Sequence, residues 1–201
     1  ALPISNFAKG SDWLYCVSSL EEFAALFKST STLATGVTAK VSTDLSNPVS
    51  TLSSLMQHAV NEHIAEAFWS AGDVWTGFCH RVEAEIDQAH YKSHSLELTE
   101  IGTWLVEHDP TICIIEVKAA IQVTVDVIAE FFIYDTIDHE ELNFGSEDVS
   151  REHEIEVDIF ITLRGDLEHA AIEELDTSIE ISGGDYEVEV GEVDPDFAYE
   201  E

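Results

Sequence analysis

The side chains best suited to chemistry fall in three places. His58, Glu62, His63 and Glu66 lie in one short stretch. On a helix His58 and Glu62, four apart, share a face, while His63 is five from His58 and points ~140° away. The His-Glu-x-x-His spacing that seats zinc beside a general base is absent, so surface or helix-contact histidines are the simpler reading. Cys79 and His80 are neighbours in the chain. Adjacent helical positions do not face each other, and no third group orients the imidazole, so a core thiol beside a partly exposed histidine is preferred. Asp135, Asp138, Glu140, Glu141, Glu147 and Asp148 crowd one connection. A calcium loop needs regularly spaced oxygens and a glycine for its sharp turn. Gly145 is present but the Asp-x-Asp-x-Asp-Gly pattern is not. Asp135, Asp138, Glu147 and Asp148 stand as candidate cation ligands against the alternative of a solvated hairpin loop. No nucleophile elbow, phosphate loop or dinucleotide fingerprint occurs, and no catalytic or cofactor-binding residue is assigned.

These acids belong to a wider asymmetry. The chain carries 41 acidic and eight basic residues, for a net charge of −33. Residues 1–95 hold ten acids against five bases, and residues 96–201 hold 31 against three. Hydrophobic residues make up 45 %, and the acids alternate with Ile and Val, which argues for a folded chain with a charged face. A field of this sign opposes nucleic-acid phosphates and anionic membranes and favours a basic protein partner or cations. Cys16, Cys79 and Cys113 are scattered and odd in number, so buried free thiols in a reducing, cytoplasmic setting are expected. No apolar run approaches the ~18 residues of a membrane span. The chain opens at Ala1 without a Met, as an excised segment of a longer protein would.

The elements that would position these residues follow from periodicity. Trp13–Val17 is a short apolar run of strand formers. Ser19-Leu-Glu-Glu22 fits a capping box, and Leu20, Phe23, Ala24 and Phe27 mark one face of a helix ending near Lys28. Residues 1–28 therefore read as the strand–helix end of an α/β domain. Residues 29–47, rich in Ser, Thr, Ala and Gly, read as a linker. Pro48 then opens a helix as its first residue, with Val49, Leu52, Leu55, Met56, Ala59, Val60, Ile64, Ala67 and Phe68 at helical spacing. Gly72 stops it, and Asp73 caps a second helix with Val74, Trp75, Phe78, Val82, Ile86 and Ala89 inward. From Leu96 the period becomes two. Every odd residue from Ile115 to Ile133 is apolar, and Ile155, Val157, Ile159, Ile161 and Leu163 form a second such row. Ser182-Gly-Gly-Asp185 reads as a hairpin turn, and Asp194–Glu201 as an acidic tail. The expected fold class is α+β. A helical hairpin over 48–92 packs on a mostly antiparallel acidic sheet over 96–193, within a domain spanning 48–201.

A strand ending in Cys16-Val17, followed by Ser-Ser-Leu-Glu-Glu-Phe-Ala-Ala-Leu-Phe27, resembles the last strand and helix of bacterial PIN-domain, VapC-like ribonucleases. In one subgroup that ending leads into an α-rich connector and an acidic β-domain of unknown function. Ile-Ile-Glu-Val-Lys-Ala-Ala-Ile-Gln-Val-Thr-Val125, Phe-Ile-Tyr-Asp135 and Gly-Ser-Glu-Asp148 look like that extension. The resemblance implies an accessory, regulatory C-terminal region. The catalytic acids, with their Mg²⁺ or Mn²⁺, would lie upstream of this chain, which would itself hold no cofactor. Three further expectations stand beside it. One is a stand-alone acidic module that binds a basic protein or mimics nucleic acid. The second is an ordinary domain adapted to high salt, and the third a small enzyme of unspecified type.

Overall fold

The computed structural model describes residues 20–106 and 109–195, without the side chains of 20–30 and 110. The elements run α1 (Leu20–Leu45), α2 (Thr51–Glu66), β1 (Phe68–Ala71), β2 (Val74–Trp75), β3 (Arg81–Val106), β4 (Asp109–Asp135) and β5 (Glu140–Arg164). A 3-10 turn (Ile172–Glu174), β6 (Asp176–Ile181), β7 (Asp185–Val188) and β8 (Gly191–Glu192) follow. β3, β4, β5 and β6 form a four-stranded antiparallel sheet in chain order. β1 pairs parallel with β7, and β2 with β8.

The described residues divide into two compact units. The first draws on 20–57, 97–106, 109–118 and 158–180, and the second on 58–96, 119–157 and 181–195. In the first unit, Val37, Val41 and Leu45 of α1 are buried at helical spacing, as are Leu52 and Met56 of α2. Ile115, Val117, Ile159 and Ile161 are buried in its sheet portion. Lys40 fixes the loop after β5 there: its ammonium donates to the carbonyls of Leu167, Glu168 and Ala170 at 3.0–3.1 Å. In the second unit, Val60 and Ile64 of α2 are buried, together with Ile121 to Phe131 at every second residue and Val188 and Val190. Two side-chain clasps hold its C-terminal strands. His63 Nε2 meets the Tyr186 hydroxyl at 2.7 Å, with the Trp69 ring 4.8 Å from that of Tyr186. The Arg151 guanidinium donates to the carbonyls of Val190 and Glu192.

Alternation governs the long strands. Odd residues from Cys113 to Phe131 are buried while the even ones stay partly or fully open, and Ile155–Leu163 repeat the pattern. Each aliphatic side chain buried this way contributes about 1.5–3 kcal/mol.

The expected architecture is corrected in four places. First, neither the helix end expected near Lys28 nor the linker after it forms as such. Residues 29–45 continue a single 26-residue helix, α1, and the strand expected at 13–17 lies outside the described residues. Serine and threonine normally divert the backbone from helix. Here Thr35, Thr38, Thr43 and Ser46 donate to carbonyls four residues back, at or below 2.8 Å, so the hydroxyls follow the helix. Second, α2 starts later than Pro48. Ser50 is its cap, its Oγ accepting from the Ser53 amide at 3.0 Å. Third, the second half of the expected helical hairpin is strand: β2 and the start of β3 occupy it. Val82 and Ile86, four apart, share a face in either structure. Ala84, half-buried between exposed Glu83 and Glu85, reveals the period of two. Fourth, Ser182–Asp185 makes no hairpin. Gly183 (φ 90°) and Gly184 (φ 141°) turn the chain out of the four-stranded sheet, and β7 pairs with β1 instead.

Candidate functional site

The outward face of the second unit's sheet is the most distinctive chemical surface. On β3, Glu83, Glu85 and Asp87 are exposed at alternate positions, and on β5 so are Asp148, Glu152, Glu154 and Glu156. Cross-strand contacts place these rows on one face. Lys92 of β3 bonds Glu152 of β5, and Gln122 of β4 bonds Glu154. Asp126 of β4 accepts from the Ser150 hydroxyl at 2.6 Å and meets His90 Nε2 at 3.2 Å.

The central strand makes this charge density tolerable. Directly opposed like charges cost roughly 0.2–1 kcal/mol per pair. Along β4 the outward positions between Ala120 and Ile128 are Gln122, Thr124 and Asp126. Over that span β4 sets a mostly neutral strip between its neighbours, and its one carboxylate there is hydrogen-bonded; Glu130, the next acid on this face, is exposed.

At the end of this face Arg81 donates through Nε and Nη2 to both oxygens of Glu141, at 3.3 and 2.8 Å, and also bonds Glu83. Its guanidinium carbon lies 4.1 Å from the centre of the Phe132 ring. The hydrogen bond from Arg81 holds the Glu141 carboxyl below the usual range. In the first unit Arg164 approaches Asp176 at 3.8 Å. Such exposed pairs add little stability, about 0–1 kcal/mol each; their importance is that they occupy the few cations.

The candidate cation ligands are not brought together. Asp135 closes β4, and its Oδ1 accepts from the amides of Ile137 and Asp138 at 2.7 and 3.4 Å, which makes it a turn former. Asp138 is exposed in the turn, while Glu147 and Asp148 are successive residues of β5 and so face opposite ways. Among the described residues no three His, Cys, Asp or Glu side chains gather as a metal site. His58 pairs with Glu62 at 3.3 Å on the exposed side of α2, whereas His63 turns to Tyr186. Burial lowers the His63 pKa and raises that of Tyr186. Cys79 and His80 also diverge. Burial raises the Cys79 thiol, and His80 approaches Glu141 at 3.5 Å. Cys113 is fully buried, its thiol pushed up to about 11.

Sequence reasoning placed the acids on the wet face from Leu96 onward but missed Glu83, Glu85 and Asp87, assigned to a helix. The alternation Val82-Glu-Ala84-Glu-Ile86-Asp was the available signal. No family model, curated protein or solved structure matches the chain. No helix among the described residues is long and apolar enough to cross a membrane.

Proposed function

We propose that the chain is a non-catalytic binding module whose acidic sheet face receives a basic protein surface. The observation that carries this reading is that five of the six bases whose side chains are described are used internally, Lys118 being exposed. Arg81, Lys92 and Arg164 hold carboxylates, while Lys40 and Arg151 hold backbone carbonyls. Of the outward carboxylates of β3 and β5, Glu83 and Glu152 meet two of these cations and Glu154 meets Gln122, while Glu85, Asp87, Asp148 and Glu156 are exposed beside them. Electrostatic complementarity of this kind steers a cationic partner and rejects phosphate backbones. Titration of the full chain with an oligolysine probe at about 0.05 M and about 0.5 M salt tests it. Saturable binding that weakens at least tenfold at the higher salt supports the proposal; no binding at the lower salt refutes it.

A second reading is adaptation to concentrated salt. It is favoured by the acid surplus in the segments of the first unit, which a single binding face does not require. Thermal melts in dilute and molar KCl separate the two. Stabilisation that continues to rise after screening is complete supports salt adaptation, and a plateau rejects it. An accessory place beside a PIN-type ribonuclease rests on the residue resemblance alone. The reading frame upstream of Ala1 decides it.

A further inference from the structure

Resting on the binding-module reading, we infer that the β4–β5 turn is the anchoring end of the face and takes a cationic amphipathic segment of the partner. The second unit exposes an unusual set of apolar side chains here. Ile137, in the turn itself, is 85 % exposed; Phe78 is 50 %, Tyr134 45 %, Leu142 44 % and Phe144 43 %. They are partly clustered. The Phe78 and Phe144 rings lie 6.2 Å apart, and Tyr134 lies 5.7 Å from the His80 ring and 6.4 Å from that of His139. Grouped apolar exposure of this kind marks an interaction site more often than isolated exposed residues do.

The rim specifies the occupant. Asp138 and Glu140 are exposed at the turn, and the local guanidinium, Arg81, is engaged by Glu83, Glu141 and Phe132. A segment with aliphatic or aromatic residues flanked by Lys or Arg matches both features, apolar centre to apolar centre and cation to carboxylate. A second copy of this chain would set acidic rim against acidic rim. A lipid surface would require those carboxylates to be desolvated without partners.

The test uses the full chain and two synthetic peptides of equal positive charge, one lysine–leucine and amphipathic, the other lysine–serine. Fluorescence anisotropy compares the native chain with the Ile137→Ser/Leu142→Ser variant. These positions are exposed, and circular dichroism verifies the fold. The native chain is expected to prefer the leucine peptide by at least about tenfold, the scale of burying one exposed aliphatic side chain, and the variant to lose that preference. Equal binding of both peptides by the native chain, or a preference that survives in the variant, overturns the tip while leaving the acidic face standing. Binding of neither peptide sinks both. A dimer in sedimentation velocity that the variant disperses, or variant-sensitive capture by phosphatidylcholine vesicles, reassigns the patch and overturns the inference.

Discussion

Lys40→Met isolates a polar clasp from the general charge of the chain. In the native protein the ammonium directs its three donors at three carbonyls of one loop, those of Leu167, Glu168 and Ala170. That loop carries Leu167, Ile172 and Leu175 into the core of the first unit. A hydrogen bond to a charged group contributes about 1.5–3 kcal/mol net when buried. Lys40 is only half-buried, and water can reach part of the loop once the ammonium is gone. The three bonds together should therefore be worth about 2 kcal/mol, not the full sum. For a chain of this size that lowers the melting temperature by about 4–8 °C. Urea denaturation and calorimetry at fixed salt measure it. Lys118→Met removes the same charge from an exposed position on β4 and should stay within about 0.5 kcal/mol. Equal losses in the two variants would mean that net charge, and not the clasp, sets the effect, and the reasoning would fail.

Other perturbations probe other links. Phe131→Ala empties a fully buried position on β4 and should cost about 3–5 kcal/mol in urea denaturation; a cost below about 1 kcal/mol would deny that this row is the core. Gly184→Ala forces a side chain onto φ 141° and should cost about 1–3 kcal/mol. An unchanged denaturation midpoint would place the β6–β7 crossover elsewhere. Burial holds His63 and His94 below the ordinary imidazole value of 6.5. The unfolded chain then binds these protons more readily than the folded one, so their stabilisation is present above that value and is lost as pH falls through it. Urea midpoints should drop from about pH 7 to about pH 5, and His63→Gln with His94→Gln should flatten that drop; an equal slope in the double variant would remove these residues from the effect.

The sheet's core was legible because an unbroken alternation admits one reading. From Ile115 to Phe131 no helix could place every odd residue inward. The region from Asp73 to Ala89 was not legible, because its apolar residues at spacings of four satisfy helix and strand equally. Composition misled at 29–47: serine and threonine signal loops when their hydroxyls compete for the backbone, yet here they bond within the helix they were expected to prevent. The β1–β7 pairing is parallel and joins residues more than a hundred positions apart. Local turn chemistry at Gly183-Gly184 indicated a reversal but held no information about the partner strand. The acidic face was half visible, since its charge was counted correctly but the β3 row was assigned to a helix. The aromatic end of the face emerged only when the segment before β3 brought Phe78 to Phe144 of β5 and His80 to Tyr134 of β4.

The most direct test of the binding-module account compares two charge-matched triple variants of the full chain. Glu152→Gln/Glu154→Gln/Glu156→Gln neutralises the outward row of β5, and Glu62→Gln/Glu66→Gln/Glu189→Gln neutralises exposed acids elsewhere in the same unit. Oligolysine affinity at about 0.05 M salt, where charges act over ~14 Å, is measured for both. The account predicts that the β5 variant loses at least tenfold in affinity while the other stays within about twofold of the native chain. Equal losses would contradict it, because they would make the attraction a property of net charge and leave the face without a role.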